Sequence, residues 1–571
     1  MRIDLTERKT LNKNHSDLLS KINYNERENF NYFISKLEDA IETDIDWWVS
    51  GPISRNTLNS NLYQNFCKVE LVKKLLNNGE IIDEIIVENY KIKETIKQLV
   101  KTENIKIHVK ISRLSIVSNF VYKLLNVIYY FSILLIKHLL FNLFFKKNTI
   151  NPKESIILID KYVLPGYFSK DRYFTGLWEL LNQSEKNIVY FLPTIVYTPI
   201  SKIFSAFKKL NESDCQYIYK ESYLKFRDLF FATFYPFRIN NKKINPIIIN
   251  DIDYSYLIKE NINNVRSYGL EIEALITYRF IKRLKGKNVK LKTVIDWWEN
   301  QALDKALHKA LSQFYPNISV VGYLGYAPRE LELQLYPTKF ELHHNLIPKD
   351  IAVIGKGFVN GLKIFNGDHN IEYAPAFRFQ HLWNSQPHLP EKDYYTILIA
   401  LPIIFAESIH ILNQVIFCIK DLSIKSFRLW VKPHPTMSVN KIKNALANNY
   451  DDLLEFIQTD TKDALRQCDI LISGMSSICL ESISLGIPVL VVDQKQGLKY
   501  KAIPNELDQD LWKQVSSSQD IIAGIEFYRK RSMKEQIRHA ELGKKIRENY
   551  FEPVTRKGVL RLLRIERNSK N

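Results

Sequence analysis

The sequence predicts an α/β protein made of two doubly wound, Rossmann-type domains. The chain has 571 residues, enough for two large domains, and 46% of them are hydrophobic, enough to form full cores. Short apolar runs typical of buried strands alternate with amphipathic helical runs along most of the chain. Pro328, Pro337 and Pro348 punctuate a connecting stretch. We therefore place the main boundary near residue 350, which gives domains of 1–350 and 351–571.

The first domain shows the alternation in two stretches separated by an apolar segment. A strand–helix–strand rhythm of this kind favours a parallel sheet covered by helices. In chain order its predicted elements are the strand DIDWWVSG, the helix NLYQNFCKVELVKKLL, the strand EIIVEN, the helix YKIKETIKQLVKT and the strand NIKIHVK, then the strand ESIILID, the helix GLWELLNQ, the strand NIVYFLP, a mostly helical stretch over 200–285, the strand VKLKTVIDWWEN, the helix QALDKALHKALSQF and the strand ISVVGYLGY.

The second domain shows the alternation more cleanly, with six strand-like runs. Such a series predicts a second doubly wound sheet. Its elements are the strand IAVIGKGF, the strand YYTILIALP, the helix ESIHILNQVIFCIKDL, the strand FRLWVKPHP, the helix VNKIKNALAN, the strand LLEFIQ, the helix TKDALRQ, the strand DILISG, the helix SSICLESISLG and the strand PVLVVD. Residues 527–571 are rich in lysine and arginine and are predicted to form helices.

Residues 111–150 form an apolar helical insertion in the first domain. Only 13 residues separate Lys123 from Lys137, about 20 Å of helix, which is shorter than the ~30 Å hydrocarbon core of a bilayer. At 100° per residue the polar positions fall on one stripe, and the rest of the circumference is apolar: Asn119, Lys123, Asn126, Tyr130 and Lys137, with His138 near the edge. This pattern predicts a helix in the membrane interface, where Arg113, Lys146 and Lys147 meet lipid phosphates. The alternative is a helical pair buried against the neighbouring domain.

The charge balance points to anionic partners. Lysine plus arginine outnumber aspartate plus glutamate by 80 to 62, a net charge of +18. Such a balance favours nucleic acid, anionic lipid or nucleotide-activated substrates. No helix-turn-helix, zinc-finger or RNP-like pattern is present, so we predict no nucleic-acid partner.

Cysteine spacing and the N-terminus bear on the compartment. The five cysteines lie far apart and form no CxxC pair, which predicts neither a disulfide framework nor a zinc site: Cys67, Cys215, Cys418, Cys468 and Cys479. The first residues, MRIDLTERKT, contain no apolar signal-peptide region. We therefore predict a cytoplasmic protein, placed by its insertion at the inner face of the cell membrane.

The run Lys432-Pro433-His434-Pro435 ends a predicted strand of the second domain. In an open parallel sheet, ligands bind at the carboxyl ends of the strands. The two prolines restrict the backbone and hold the imidazole of His434 in a fixed direction, beside the Lys432 cation. A histidine placed in this way donates a hydrogen bond to phosphate or acts as a general acid. The alternative is a histidine that caps a turn.

A run of small polar residues, Ser473-Gly474-Met475-Ser476-Ser477, joins another predicted strand to a helix. Hydroxyl residues at a helix start cap free N–H groups, and the same N–H groups also receive phosphate. Because we place this strand next to the one that carries His434, we predict a phosphate cradle that includes Ser473, Ser476 and Ser477. Glu481 lies about one helical turn further and is predicted to reach a ribose hydroxyl.

Two weaker patterns also concern ligands. Gly355-Lys356-Gly357 follows the run IAVIG, and such a loop allows the backbone or Lys356 to approach a donor phosphate; the alternative is a plain turn. Two DxD strings begin at Asp44 and Asp251, but such strings arise by chance among 62 acidic residues. We therefore predict no metal site and no cofactor.

The KPHP run and DILISGMSSICLESISLGIPVLVVD resemble the C-terminal domain of GT-B glycosyltransferases. They are similar in particular to bacterial surface-polysaccharide enzymes with an HP motif and a serine motif. That group includes polysialyltransferase-like, capsular Kdo-transferase-like and CDP-glycerol glycerophosphotransferase-like proteins. The resemblance covers residues 350–500 by motif and 1–350 by architecture only. It implies two Rossmann-type domains facing a central cleft, and donor phosphates bound by His434, Ser476 and Ser477.

The resemblance also implies a catalytic base from the first domain. Our candidate is Glu299, at the tip of TVIDWWENQ, with Asp296 as the second choice. Such a carboxylate takes the proton of the acceptor hydroxyl while the enzyme stabilises the departing phosphate. The alternative is an acidic residue that favours the dipole of the following helix. The acidic-Gly motif of the polysialyltransferase-like group has no match in this chain.

From these observations the sequence predicts a metal-independent, Leloir-type glycosyltransferase. It moves a sugar from a CMP- or NDP-sugar to a surface-polysaccharide or lipid-linked acceptor. Glycerophosphotransferase relatives tend to have an aspartate in place of Glu481, which favours a sugar donor over CDP-glycerol. Two alternatives stay open: a phosphotransferase for CDP-glycerol or CDP-ribitol, and a non-catalytic component of a polysaccharide assembly complex.

Overall fold

The structure, a computed structural model, describes residues 1–6, 11–100, 105–110, 117–145, 154–263, 267–384, 394–419, 427–446, 453–494 and 497–565. In these residues the strands form two six-stranded sheets, a three-stranded sheet and a two-stranded ribbon. The strands are β1 Arg2–Asp4, β2 Glu84–Val87, β3 Lys106–Val109, β4 Ser155–Val163, β5 Val189–Ile195, β6 Ile248–Ile249, β7 Ile252–Asp253, β8 Lys290–Trp297, β9 Ser319–Leu324, β10 Asp350–Val353, β11 Asn370–Tyr373, β12 Tyr395–Ala400, β13 Phe427–Lys432, β14 Glu455–Phe456, β15 Ile470–Ser473, β16 Val489–Val492 and β17 Trp512–Val515.

Helices cover both faces of the two large sheets, which confirms the predicted α/β class. They are α1 Lys13–Asn25, α2 Arg27–Ser35, α3 Leu37–Ala40, α4 Ile45–Trp48, α5 Gly51–Ser54, α6 Leu62–Asn77, α7 Tyr90–Leu99, α8 Val117–Phe144, α9 Gln183–Lys186, α10 Ile200–Asn211, α11 Phe226–Thr233, α12 Tyr235–Asn240, α13 Ser255–Asn263, α14 Gly269–Gly286, α15 Ala302–Phe314, α16 Lys339–His343, α17 Phe405–Ile419, α18 Val439–Ala445, α19 Thr461–Leu465, α20 Ile478–Ser484, α21 Ser518–Arg529, α22 Met533–Tyr550 and α23 Arg556–Leu562.

The first large sheet has the strand order β11-β10-β9-β8-β4-β5, and every neighbouring pair is parallel. The chain passes from β4 to β5 on one side and later to β8 on the other side. The loops that leave the carboxyl ends of β4 and β8 therefore diverge and open a crevice, which is where ligands bind in such sheets.

The second large sheet has the order β14-β13-β12-β15-β16-β17 and is also parallel throughout. Here the winding reverses between β12 and β15, so the crevice lies at their carboxyl ends. Every residue of β15 and β16 is buried, as expected for strands with helices on both faces. Together the two sheets give the GT-B-like architecture that the sequence predicted.

The predicted domain boundary is wrong in position. β10 and β11 pair with each other and with β9, so both belong to the first sheet. The change of sheet falls between Tyr373 and Tyr395, and the sixth strand of the second sheet is Trp512–Val515. An apolar run such as IAVIG indicates that a strand forms but not which strand it pairs with. Because the run follows the proline-rich stretch in the chain, we assigned its strand to the second domain.

The C-terminal segment returns to the first domain after the second sheet is complete. The backbone N–H of Glu552 donates to the Ile354 oxygen at 2.6 Å, and the Ala376 N–H donates to the Glu552 oxygen at 2.8 Å. Arg556 forms an ion pair with Glu185 at 2.6 Å. The predicted basic helices of the C-terminus thus tie the two domains together.

The N-terminal region forms a small parallel sheet of its own, in the order β1-β2-β3. The run DIDWWVSG, predicted as a strand, is helical in α4 and α5 instead. The Asp44 side chain accepts the Trp47 N–H at 3.0 Å and caps α4, so local hydrogen bonding overrides the β preference of the tryptophans. In the run GLWELLNQ, only a 3-10 turn over Trp178–Leu180 forms instead of the predicted helix.

Candidate functional site

The serine run lies at the crevice of the second sheet, directly after β15. Ser473 is fully buried, and its hydroxyl donates to the Ala400 oxygen at 2.7 Å, which ties β15 to β12. Its side chain is therefore used within the sheet rather than in the predicted cradle. Ser476 and Ser477 are half-buried and directly precede α20, and the hydroxyl of Ser477, the N-cap residue, makes no capping hydrogen bond to the helix. These two hydroxyl groups lie at the point where the sheet topology predicts a ligand.

His434 lies at the carboxyl end of β13, but β12 separates that strand from β15, so the predicted adjacency of the two motif strands is wrong. The Thr436 N–H donates to His434 Nδ1 at 3.3 Å, which places the ring proton on Nε2. Burial lowers the pKa of His434, and the nearby Arg172 cation lowers that pKa further. The ring is therefore a neutral N–H donor at pH 7. Arg172 belongs to the first domain, so the domains approach each other at this histidine.

Lys432 makes a different contact from the one its position suggested. Its ammonium group donates to the Gln458 oxygen at 3.3 Å, and Gln458 follows the edge strand β14. The Lys432 side chain therefore extends toward the sheet edge, away from the crevice between β12 and β15.

Glu407, near the start of α17, lies behind the serine run and was not found from the sequence. Its Oε1 accepts the Met475 N–H at 3.4 Å, and its Oε2 accepts from Gln494 at 3.2 Å. Burial raises the pKa of Glu407. A Cβ atom at Gly474 would lie 2.5 Å from Glu407 Oε1, so a larger residue there would require the Glu407 side chain to move. Glu407 thus supports the shape of the serine run.

Glu481, predicted to reach a ribose, instead lies 3.2 Å from the ring of His381. His381 belongs to the connection between the two sheets, in the 3-10 segment Phe377–Leu382. The contact joins that connection to α20 at the edge of the serine run.

Gly355 and Gly357, which were predicted to contact a donor, have a packing role in the structure. A Cβ atom at Gly355 would overlap the backbone carbonyl of Tyr550, and one at Gly357 would lie 2.7 Å from Asn549 Nδ2. Both glycines therefore allow α22 to pack closely against the first sheet. Lys356 is exposed between them. This loop follows β10 of the first sheet rather than a strand of the second, and its contact with a donor stays a prediction.

Glu299 follows β8, at the crevice of the first sheet. Its Oε1 accepts a hydrogen bond from Trp297 Nε1 at 2.9 Å, and its Oε2 accepts one from Gln301 at 2.7 Å. Burial raises the pKa of Glu299; the two hydrogen bonds and the Arg378 cation oppose that shift in part. The side chain is half-buried. An oriented carboxylate with a raised pKa is suited to accept a proton.

Asp296, the second choice for the base, is excluded by its surroundings. It is fully buried, and its Oδ2 lies 2.8 Å from His308 Nε2. Burial and then the neighbouring Asp160 raise the pKa of Asp296 well above its usual range. Because it is fully buried, the group has no access to an acceptor hydroxyl.

Arg329 links the two crevices and was not predicted from the sequence. It lies in the loop after β9 and pairs with Glu332 of the same loop. Its Nη1 donates to the Met475 oxygen of the serine run at 3.3 Å. Its position in the loop after a parallel strand could have identified it from the sequence, because Arg172 and Glu299 also lie in loops that follow parallel strands.

Three of the four aspartates in the DxD strings have structural roles. Asp44 caps α4, Asp46 pairs with Arg238 at 2.6 Å, and Asp253 accepts the N–H groups of Ile247 and Ser255. Across the ranges that the structure covers, no group of three or more His, Cys, Asp or Glu side chains is arranged to hold a metal ion.

No protein-family model matches the chain, and no curated protein matches it. Several solved structures are similar at low identity. Staphylococcus aureus MnaA with UDP has 11% identity and a TM-score of 0.40, over 70% of this chain and 93% of that one. Acinetobacter baumannii MurG has 11% identity and a TM-score of 0.38, over 72% of this chain and 100% of that one. The wall teichoic acid polymerase TagF has 10% identity and a TM-score of 0.37, over 79% of this chain and 98% of that one. The GT-B-like class rests on the two parallel six-stranded sheets themselves.

Proposed function

We propose that this chain is a glycosyltransferase that transfers a sugar from a CMP- or NDP-sugar to a surface-polysaccharide or lipid-linked acceptor. One observation carries the proposal. Arg329 of the first domain contacts the serine run at the end of β15, and the charge of Arg172, also from the first domain, lowers the pKa of His434 at the end of β13. Cations and neutral N–H donors at the crevice of a parallel sheet are the groups that bind nucleotide phosphates.

Donor binding in this proposal uses groups from both domains. The Nε2–H of His434 donates to a phosphate oxygen, and Ser476 and Ser477 donate from the opposite side of β12. Arg329 faces the same phosphates from the first domain. As the bond between the sugar and the phosphate breaks, these donors stabilise the negative charge that develops on the leaving nucleotide.

Glu299 acts on the acceptor in this proposal. Its carboxylate takes the proton from the acceptor hydroxyl while the hydroxyl oxygen attacks the anomeric carbon. A new glycosidic bond forms, the bond from that carbon to the phosphate oxygen breaks, and the nucleotide leaves with the bonding electron pair. The hydrogen bonds from Trp297 and Gln301 keep the carboxylate pointed in one direction.

A nucleotide-binding experiment tests the proposal. We expect CMP, CDP, UDP or GDP to raise the melting temperature of the protein, since a ligand that binds the folded state stabilises it. His434→Ala should weaken that binding about 10- to 100-fold, as expected for the loss of a hydrogen bond to a charged group. His343→Ala is the matched control, because His343 is exposed on α16.

The outcomes separate the alternatives. If no nucleotide stabilises the protein, or His434→Ala binds it normally, the proposed site is wrong. Turnover of CDP-glycerol without turnover of any nucleotide sugar would assign a phosphotransferase. Nucleotide binding without turnover of any donor would indicate a non-catalytic component.

We expect kcat/KM to fall as the pH falls, because Glu299 must be ionised to accept a proton. The fall should be centred above the usual pKa of glutamate, since burial raises the pKa of Glu299. Gln301→Met removes a hydrogen bond to the ionised form, so it should raise the pKa and move the acid limb to higher pH. An acid limb that stays in place in this variant would contradict the role of Glu299.

A further inference from the structure

Helix α8 is oriented with its polar stripe toward the protein. Val127, Leu134 and Phe141 lie on this stripe and are buried. The Tyr130 hydroxyl lies 2.6 Å from Ser267 Oγ, and Lys137 Nζ donates to the Ile195 oxygen at 3.1 Å. The predicted alternative of a buried helical pair is therefore wrong: Val117–Phe144 is one continuous helix, and much of its surface is exposed.

The outer face of α8 is apolar and exposed. Leu125 is 59% exposed, Ile128 is 54% exposed and Leu143 is 72% exposed. The other large exposed side chains of this face are Val121, Tyr122, Leu124, Tyr129, Leu139 and Phe144. A soluble surface helix normally shows the reverse arrangement, with its apolar face on the core.

Helices α10 and α11 pack on α8 and extend the apolar surface. The ring centroids of Phe131 and Phe230 lie 4.6 Å apart, and those of Phe144 and Phe204 lie 5.6 Å apart, so the surface is continuous. Further exposed apolar side chains here are Tyr197, Ile200, Phe226 and Phe234. We call the outward side chains of α8, α10 and α11, with Tyr197 and Phe234, the three-helix face. A contiguous patch of this extent marks an interaction site.

Exposed cations lie on and beside the three-helix face, and the exposed Glu212 at the end of α10 lies 3.8 Å from Lys208. Lys202, Lys225 and Arg227 are exposed on or beside α10 and α11. The sequence has no aspartate or glutamate between Glu103 and Glu154. Apolar and aromatic side chains edged by cations match a bilayer surface with anionic headgroups. A symmetric contact with a second copy would instead bring these cations together.

We propose that the three-helix face docks the protein onto an anionic bilayer, with the axis of α8 parallel to the membrane plane. By length and composition alone, the part of α8 over Val121–Phe144 also suffices to cross a membrane. Crossing would break the inward contacts of Tyr130 and Lys137, whereas docking keeps them and covers only the exposed side. Arg113, Lys146 and Lys147, expected to meet lipid phosphates, lie outside the described residues.

Vesicle co-sedimentation of the full chain tests this inference. We expect binding to vesicles of phosphatidylethanolamine and phosphatidylglycerol, and much weaker binding to phosphatidylcholine. Leu125→Asp/Ile128→Asp should weaken binding to the anionic vesicles about tenfold or more, because it places two charges in the apolar contact. Ile81→Asp/Ile537→Asp is the matched control, since both isoleucines are exposed elsewhere on the molecule. Unchanged melting temperatures show that both variants fold.

Three results would overturn the inference. One is equal vesicle binding by the two double variants. Another is a wild-type dimer that Leu125→Asp/Ile128→Asp converts to a monomer, which would assign the face to a second copy. The third is membrane-bound protein that resists extraction with alkaline carbonate, which would indicate a span. None of these readouts uses donor turnover, so they are independent of the proposed function.

Discussion

Glu299→Gln is expected to lower the turnover of the nucleotide-sugar donor about 10²- to 10⁴-fold, the usual contribution of a general base. The amide has the same shape as the carboxylate and still accepts the hydrogen bond from Trp297 Nε1, but it does not take a proton. The melting-temperature rise with nucleotide should stay the same, because in the proposed site the donor phosphates are bound by His434, the two serines and Arg329, and not by Glu299. The measurement is steady-state turnover beside a thermal shift with the same nucleotide.

Glu330→Gln is the matched control for this experiment. Glu330 lies in the loop after β9 and contacts Lys501 and Asn505. It makes no contact with Glu299 among the described hydrogen bonds, so its loss should leave turnover within a few-fold of wild type. If Glu299→Gln retained full turnover, the acceptor proton would have to go elsewhere, and the first domain would lose its proposed catalytic residue.

Glu341→Ala is expected to destabilise the protein by about 3–5 kcal/mol, the cost of removing one partner from a buried ion pair. Its carboxylate contacts Arg55 at 2.6 Å and Lys305 at 2.7 Å, and all three side chains are at most 1% exposed. Removal of Glu341 leaves two buried cations without their counter-ion. Denaturant unfolding gives the change in free energy. Lys339→Ala, on the same helix but 75% exposed, is the control and should change stability by less than about 0.5 kcal/mol.

The Glu341 carboxylate should also make the free energy of unfolding depend on pH in the acidic range. Burial alone would raise the pKa of Glu341, but Arg55 and Lys305 outweigh burial and hold that pKa at about 2. A lowered pKa in the folded state stabilises the fold above the unfolded value, and this stabilisation is lost as the pH falls toward 2. A small change in free energy for Glu341→Ala, or the same acid sensitivity as wild type, would contradict this account.

This buried network also bears on the candidate base. Asn300 has a positive φ of 53° and donates to Glu341 at 2.9 Å, while Lys305 donates to Asn300 at 2.8 Å. Glu299 immediately precedes this residue. The turn that positions Glu299 is therefore held by the side chain of Glu341, more than forty residues away in the chain. Neither Arg55 nor Glu341 stands out in the sequence, because the network joins three separate segments.

The predicted motifs differ in how well they located the site. His434, Ser476, Ser477 and Glu299 all lie at carboxyl ends of strands in the structure, where the apolar runs placed them. Arg329 and Glu407 were missed because each acts through a contact with a distant segment, the serine run. The packing role of Gly355 was missed for a related reason: its close neighbour, Tyr550, is almost two hundred residues away.

Local patterns sufficed for the α/β class, for most strands and helices and for the residues at strand tips, because periodicity and residue type act over a few neighbours. Three properties depended on tertiary contacts. The boundary between the sheets followed from the pairing of β10 with β9, which no local pattern records. The exclusion of Asp296 as the base followed from its complete burial. The stripe on α8 was visible in the sequence, but only packing against Ile195 and Ser267 showed that the polar side faces inward and leaves the apolar side exposed.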